Sequence, residues 1–255
     1  MRKGSLALLT ALLLSAGGHP LRAVTQEATP EDLFKAGAAA FQAGDYAGAT
    51  KNFEEVLSAG PTGEALETIL FTLGSTYYNQ KDLKKAEDYY NRCLKEFPEG
   101  KNKTKALMAL SQIQNQTGRK AEAEKTLAKA CEGGGDMAAR ARLARAALIA
   151  EQGKPAEAAD VIRPMVAGGI RDDLSVQAAM TLAELDAKAG NLQEALKLLD
   201  QLRGAQEMVD NPLQLDFLAI RIGDALLAKG ERKGALRMYA PCPPPEELFF
   251  KIKYC

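Results

Sequence analysis

One residue pattern occurs six times between residues 30 and 240, and it constrains the fold more than any other feature of the chain. A two-residue turn recurs at Gly44-Asp45, Lys81-Asp82, Gly118-Arg119, Gly153-Lys154, Gly190-Asn191 and Gly230-Glu231, at spacings of 37, 37, 35, 37 and 40 residues. Five residues after each turn begins there is an alanine, and four residues later a large apolar or aromatic residue. A fixed period of this length predicts a stack of similar units rather than one central core.

Each unit is predicted to be a pair of antiparallel helices joined by that turn. Glycine can adopt the left-handed conformation that ends a helix, and Asp or Asn can cap the helix that follows. We expect Asp45 and Asp82 to be N-caps, Asn191 to form a capping box with Glu194, and Pro155 to occupy a first helical position. Composition agrees: helix formers dominate, aromatic residues make up 6% and tryptophan is absent, so no sheet is expected.

A second position that always holds a small residue lies seven residues before the first residue of each turn. It is occupied by Gly37, Gly74, Ser111, Ala146, Ala183 and Gly223. Small residues here and at the alanine position let the two helices cross at about 8 to 10 Å. The large residue four positions after the alanine is expected to fill the space between one helix pair and the next.

This pattern resembles the tetratricopeptide repeat, in which a small residue, a turn, an alanine, an aromatic residue and a proline follow one another in the same order. In the second unit Leu73-Gly74, Tyr77, Ala86, Tyr90 and Pro98 fall on its signature positions. The resemblance implies an all-α, right-handed superhelical solenoid of about six repeats, near residues 30–63, 67–100, 104–137, 139–172, 176–209 and 216–240. Gln114, Ile149 and Asp186 depart from the signature where repeat 2 has Tyr77, and insertions such as Gly133 to Gly135 are expected in the loops between repeats.

Residues 1–23 have a different character. Arg2 and Lys3 precede an apolar run from Leu6 to Leu14. This run is too short to span a bilayer. The charged start and the short apolar run together predict a signal peptide cleaved after Ala23. An uncleaved amphipathic leader is the alternative. Cleavage would leave a short linker at 24–29 and export the protein to the periplasm or the extracellular space.

Loss of the leader would remove the only histidine, His19, together with Arg2, Lys3 and Arg22, and would take the formal charge from zero to −3. A chain without histidine cannot build a Ser-His-Asp or Cys-His nucleophile or a His-ligated zinc site. The sequence therefore predicts a protein that is not an enzyme, with no cofactor and no metal.

The four cysteines lie at 93, 131, 242 and 255, without metal-ligand spacing. Cys93 and Cys131 are interpreted as packing residues. Cys242 and Cys255 are either unpaired thiols or, after export, a disulfide that would hold the tail. Gly133 to Gly135 is interpreted as a loop rather than a phosphate cradle, because no Lys-Ser/Thr follows it.

The family resemblance also places the first helix of each repeat along a concave groove that would bind a peptide or a protein segment. The groove residues counted from the repeat frame are Phe34, Phe41, Phe71, Tyr78, Lys105, Met108 and Arg140. Packing by neighbouring units is the alternative for the aromatic residues. A clamp for a terminal carboxylate is not expected, because only Lys105 agrees with the residues that such clamps use.

Charge and the C-terminal residues leave a second function open. Residues 101–145 carry a net charge of +6, which favours either an acidic partner or a solvated face. Nucleic acid is not expected as a partner, because aromatic residues for base stacking are absent from this section.

Prolines from Pro241 end the sixth repeat early and begin a proline-rich tail at 241–255. The alternative function is therefore a structural segment of a longer array or of a homo-oligomer that associates through its C-terminal repeat.

Overall fold

The computed structural model describes residues 28–211 and 213–239, which form six antiparallel helical hairpins stacked in chain order. The helices are α1 Pro30–Gln42, α2 Tyr46–Ser58, α3 Gly63–Asn79, α4 Leu83–Glu96, α5 Lys103–Gln116, α6 Lys120–Ala130, α7 Gly135–Glu151, α8 Pro155–Val166, α9 Asp173–Ala189, α10 Leu192–Gly204, α11 Leu213–Ala228 and α12 Arg232–Tyr239. No β-strand occurs in these residues. The predicted all-α solenoid of six helical hairpins is confirmed.

Three predicted features lie outside the described residues. They are the signal peptide at 1–23, the proline-rich tail at 241–255, and the cysteine pair Cys242 and Cys255 within that tail. Of the predicted linker at 24–29, the structure describes the last two residues. Thr29 is the N-cap of α1, where its hydroxyl and the Asp32 carboxylate form a capping box.

The six turns have the predicted backbone conformation. Residues 44, 81, 118, 153, 190 and 230 all have positive φ, and Lys81 is the one residue other than glycine with positive φ in the described chain. Asp45 accepts a hydrogen bond from the Gly48 N–H at 2.9 Å and Asp82 accepts one from the Lys85 N–H at 3.1 Å, so both predicted N-caps are confirmed. Pro155 begins α8, as predicted.

The capping box predicted at Asn191 and Glu194 is wrong. Asn191 does occupy the N-cap of α10, but its side chain makes no capping hydrogen bond. Its amide group donates instead to the Asp186 carboxylate at 3.1 Å. The hydrogen bond to this buried, charged carboxylate, five residues earlier at the end of α9, takes the place of the predicted cap.

Extra residues in each repeat lengthen helices as well as loops. Helices α3, α7 and α9 each contain 17 residues. The last residue of the triple glycine, Gly135, is already the first residue of α7. The expectation that insertions lie in the inter-repeat loops therefore holds only in part, because the 35- to 40-residue spacing is partly taken up by an additional turn of first helix.

The two small positions and the large residue are packed together inside each hairpin. All six turn-following alanines are buried, with at most 1% of their surface exposed. A Cβ added at Gly37 would lie 2.6 Å from the Phe53 ring, and one added at Gly74 would lie 2.7 Å from the Tyr90 ring. The large residue thus packs against its own first helix, which corrects the expectation that it mainly fills the space between units.

The identities at these two positions change together along the chain. The pairs are Gly37 with Phe53, Gly74 with Tyr90, Ser111 with Leu127, Ala146 with Ile162, Ala183 with Leu199, and Gly223 with Tyr239. An aromatic residue always faces glycine, and a branched aliphatic residue faces serine or alanine. The summed volume of the two side chains is thereby kept nearly constant, as dense packing requires.

Successive hairpins are also joined by polar contacts at one recurring position. In repeat 2 the Tyr77 hydroxyl donates to Glu54 of α2 at 2.5 Å. In repeat 5 the equivalent residue, Asp186, accepts two hydrogen bonds from Arg163 of α8, at 3.0 and 3.3 Å. Glu54 and Arg163 are themselves equivalent, each following the large residue of its second helix. The departure from the tyrosine signature at Asp186 is therefore an ion pair between repeats.

Candidate functional site

The first helices of the hairpins form one continuous surface of the array. Helices α5, α7, α9 and α11 contact one another in succession as well as contacting their own second helices. Because the first helices approach each other closely, their side of the array is the shorter, inner side. We call the face formed by α1, α3, α5, α7, α9 and α11 the concave surface.

One row of this surface is apolar and half-buried throughout. It contains the predicted residues Phe34, Phe71 and Met108, followed at the same repeat position by Leu143, Met180 and Ile220. The Phe34 ring packs against Phe53 with centroids 5.5 Å apart, and the Phe71 ring against Tyr90 at 5.7 Å. These aromatic side chains therefore pack with one face against the core and leave part of their surface exposed.

The other two predicted aromatic residues lie near the hairpin turns. The Phe41 ring contacts Tyr46 edge-on, with centroids 5.3 Å apart. The Tyr78 hydroxyl accepts a hydrogen bond from the Gln116 amide at 2.5 Å, which links α3 to α5 across the concave surface. Both side chains are half-buried. Phe41 and Tyr78 occupy equivalent positions in repeats 1 and 2, so they form a second row beside the first.

The two predicted basic residues occupy one position in successive repeats. Lys105 of α5 and Arg140 of α7 are both exposed, and within the described residues neither side chain takes part in an ion pair. Thr68 precedes them and Gln177 and Phe217 follow at the same repeat position. At this position the concave surface is therefore cationic at its middle, uncharged in repeats 2, 5 and 6, and acidic in repeat 1, where the residue is Glu31.

Three clefts open between first helices. Phe34 lines a cleft of about 520 Å³ between α1 and α3, and Met108 lines one of about 430 Å³ between α5 and α7. The third, between α9 and α11, has a volume of about 540 Å³ and includes Met180, Phe217 and Met208. Clefts of this size can each accept one or a few side chains of a bound chain.

The third cleft contains no residue that the sequence analysis predicted as a groove residue. The repeat spacing would have found two of its residues, because Met180 and Phe217 lie at the positions of Phe34 and Lys105, respectively, in later repeats. Met208 could not have been found in this way. It belongs to the short 3-10 helix Gln206–Met208 between α10 and α11, which has no counterpart in the other repeats.

Reactive chemistry is sparse in the described part of the chain. Cys93 and Cys131 are free, and burial raises the pKa of the Cys93 thiol to about 11, which disfavours the reactive thiolate. Within residues 28–211 and 213–239 no cluster of three or more His, Cys, Asp or Glu side chains is arranged to hold a metal ion. None of the described helices is both long enough and apolar enough to cross a membrane.

A family model and several solved structures resemble the chain. The family model described as "YfiO: Outer membrane lipoprotein" matches residues 26–136. The apo form of RapI has a TM-score of 0.65 at 15% identity, covering 83% of this chain and 62% of that one. YrrB, described as a TPR protein with an unusual peptide-binding site, has a TM-score of 0.56 at 15% identity, with 80% of this chain and 98% of that one covered.

A further solved structure, a tetratricopeptide repeat protein from Parabacteroides merdae, has a TM-score of 0.52 at 13% identity, with 87% of this chain and 96% of that one covered. No curated protein sequence matches the chain. At these identities the likeness is one of fold, and it agrees with the six hairpins and with the recurring turn, alanine and large-residue positions. The chain has the fold of tetratricopeptide repeat proteins.

Proposed function

We propose that the protein is an exported scaffold that binds a peptide or a protein segment on its concave surface and has no catalytic activity of its own. The observation that carries the proposal is the row of half-buried apolar side chains on the first helices, which begins at Phe34, Phe71 and Met108. A continuous apolar strip beside clefts offers an extended or helical partner both contact area and side-chain pockets.

Two further contributions to binding come from the neighbouring rows. Phe41 and Tyr78 add aromatic area next to the strip. Lys105 and Arg140 supply two positive charges that form no ion pair within the described residues. Residues of this kind dominate binding energy when they are covered by a partner. The YrrB structure, described as having a peptide-binding site, supports a binding function for a chain of this fold.

Export is proposed from the pattern of residues 1–23 and from the family match. A positively charged start, a short apolar run and small residues before Ala23 are typical of a signal peptide. The family whose model matches residues 26–136 is described as an outer membrane lipoprotein, which supports a location in the cell envelope. Western analysis of periplasmic and cytoplasmic fractions, with N-terminal sequencing of the mature chain, tests this location.

Photo-crosslinking in intact cells tests the binding surface. Gln112 is exposed and lines the cleft between α5 and α7, so a photoreactive residue there samples the concave surface without disturbing the core. Lys125, exposed on the second helix α6, is the matched control position. We expect one dominant partner from position 112 that is lost in the Phe34→Ala/Tyr78→Ala variant and is absent from position 125. Equal labelling from both positions would contradict the proposal.

A structural role is the second candidate, because the last hairpin exposes large apolar side chains. Leu227 and Leu236 are 51% and 66% exposed, the two highest values among the large apolar side chains of the described residues. Such a surface could associate with a second copy or with further repeats. Sedimentation velocity tests this role: we expect concentration-dependent dimers that disappear in the Leu227→Lys/Leu236→Lys variant, and a monomer at all concentrations would argue against it.

A further inference from the structure

We propose that the cleft between α9 and α11 is a subsite for a positively charged peptide segment that inserts one large apolar side chain. The inference rests on the proposed function, because it assigns the chemistry of a partner to one part of the same concave surface. The cleft volume of about 540 Å³ lies within the range of roughly 300 to 1,000 Å³ that is common for binding pockets.

The floor of the cleft is apolar and unusually exposed. Met208 and Phe217 are 38% and 37% exposed, although most large apolar residues of the described chain are buried or half-buried. Met180 and Val176 complete the floor from α9. Methionine side chains adapt their shape to different apolar groups, and exposed apolar residues in a concavity are typical of interaction sites. The cleft is therefore suited to a large aliphatic or aromatic side chain.

The rim of the cleft is acidic. Asp173, Glu184 and Asp210 contribute three carboxylates, and among the residues that line the cleft Arg221 is the one cation. Arg221 is bonded to Glu184. In the described residues neither Asp173 nor Asp210 has an ion-pair partner. The rim therefore attracts a cationic segment and repels an acidic one.

The charge changes sign along the concave surface, which gives the site its selectivity. Lys105 and Arg140 make the middle of the surface cationic, whereas Asp173 and Asp210 make the α9–α11 cleft acidic. A lysine- or arginine-containing segment is repelled from the middle and attracted to the cleft. Discrimination of this kind depends on the repulsive region as much as on the attractive one.

Binding of synthetic peptides to the full chain tests the inference. Three fluorescein-labelled decapeptides in a Gly-Ser background differ only in composition: a central phenylalanine flanked by lysines, the same peptide with glutamates, and the lysine peptide with alanine at the centre. By fluorescence anisotropy we expect the first to bind about tenfold or more tightly than either of the others, which corresponds to one apolar anchor or a few charge contacts. Its affinity should fall as salt is raised. Equal affinities, or no saturable binding of the first peptide, would overturn the inference.

Cleft variants locate the binding. Phe217→Ala should weaken the lysine peptide about tenfold, as truncation of a central anchor does. Asp173→Asn/Asp210→Asn should weaken it roughly fivefold and reduce its salt dependence. The matched control Asp88→Asn/Asp200→Asn removes two exposed carboxylates from second helices and should leave binding unchanged. Gln214→Lys, at an exposed rim position, adds a repulsive charge without touching the core and serves if Phe217→Ala fails to fold.

The outcomes separate this inference from the proposed function. A partner that crosslinks at position 112 while the lysine peptide does not bind, or binds equally to every cleft variant, would remove the cleft subsite and leave the scaffold function standing. Lysine-peptide binding that depends on Phe217, together with no partner at position 112, would support the cleft and remove the proposed use of the aromatic strip.

Discussion

The first two hairpins and the fourth and fifth solve the same packing problem with different side chains. Phe53, Tyr77 and Tyr90 are buried in the N-terminal core, where the two aromatic residues of the repeated large position face Gly37 and Gly74. In the described residues, the core of the last three hairpins fully buries alanine, valine, leucine and isoleucine, and its one aromatic neighbour, Tyr239 opposite Gly223, is half-buried. One repeat pattern therefore tolerates two core chemistries when both members of a contact pair change together.

The polar contact at the repeat position of Tyr77 and Asp186 also differs between the halves. In the N-terminal half a tyrosine hydroxyl bonds an exposed carboxylate, whereas in the C-terminal half the buried carboxylate of Asp186 pairs with Arg163. The exposed carboxylate of Glu54 can lose its partner and still be solvated at low cost, but the buried carboxylate of Asp186 cannot. The second half should thus depend more strongly on its polar link, and the first half on the fit between glycine and aromatic ring.

The largest expected effect comes from breaking the buried ion pair. Arg163→Met leaves the Asp186 carboxylate, whose side chain is 0% exposed, with Asn191 as its remaining hydrogen-bond partner. We expect the free energy of unfolding to fall by about 3 to 4 kcal/mol. Urea unfolding followed by circular dichroism measures the loss.

Two control variants make this result specific. Asp160→Asn removes the more exposed acidic partner of Arg163 and should cost less than about 1 kcal/mol. Arg163→Met/Asp186→Leu replaces the pair with apolar residues and should recover most of the lost stability. A single Arg163→Met variant as stable as Asp160→Asn would show that the two halves do not differ in this respect.

Alkaline pH should destabilise the N-terminal half first. Burial raises the pKa of Tyr90 to about 12, and burial also raises the pKa of Tyr77 and Tyr89 above the ordinary value of 10.0. The folded state holds the Tyr90 proton more tightly than the unfolded state. Its contribution is therefore fully present below pH 10 and is lost as the pH rises to about 12, a loss of about 2 to 3 kcal/mol.

Single tryptophans can report each half separately, because the chain contains none. Phe41→Trp reports on α1 and Leu227→Trp on α11. We expect the urea midpoint of the first reporter to fall between pH 10 and pH 12 before that of the second, and the difference to shrink in a Tyr90→Phe background. The last three hairpins contain Tyr239, whose pKa is also raised to about 12, chiefly by the hydrogen bond that its hydroxyl donates to Asp224. Because that side chain is only half-buried, solvent screens the interaction and its titration should matter less. Midpoints that fall together would contradict the comparison.

Contact pairs can be exchanged between the halves. Gly74→Ala places a methyl group where the Tyr90 ring is 2.7 Å away, and we expect a loss of about 2 kcal/mol from overpacking. Adding Tyr90→Leu reproduces the Ala183 and Leu199 pair of repeat 5 and should restore part of that loss. Urea unfolding of the two single variants and the double variant gives the coupling energy. Additive losses would mean that the paired identities have no energetic basis.

The sequence was sufficient for the fold because every element was specified six times. The turn at residue 81 was predicted correctly although it lacks glycine, since its five counterparts fixed the register. Single-copy features failed: the Asn191 side chain bonds Asp186 instead of capping α10, and Asp186 has no acidic counterpart at that position in the other repeats. Repeated information averages out local exceptions, whereas an isolated motif has no such correction.

The candidate site was predictable only where it follows the repeat. Phe34, Phe71 and Met108 share one position and lie on one surface row, as the spacing required. Met208 and Asp210 come from a connection that occurs once, and the acidic rim combines Asp210 with the α9 carboxylates Asp173 and Glu184. No period in the sequence connects Asp210 with Asp173, so the third cleft needed the three-dimensional arrangement.

The smallest effect tests the polar link of the N-terminal half. Tyr77→Phe removes the hydroxyl that donates to Glu54 but keeps the ring, which stacks on Tyr89 with centroids 5.5 Å apart. Because Glu54 is exposed and can be solvated, the expected loss is about 1 kcal/mol, well below that of Arg163→Met. Tyr89→Phe is the matched control, since its hydroxyl makes no hydrogen bond within the described residues, and it should be nearly neutral. Thermal unfolding of the two variants decides the point: equal melting temperatures would mean that the Tyr77 hydroxyl contributes nothing, and that only the C-terminal half uses this repeat position to join its hairpins.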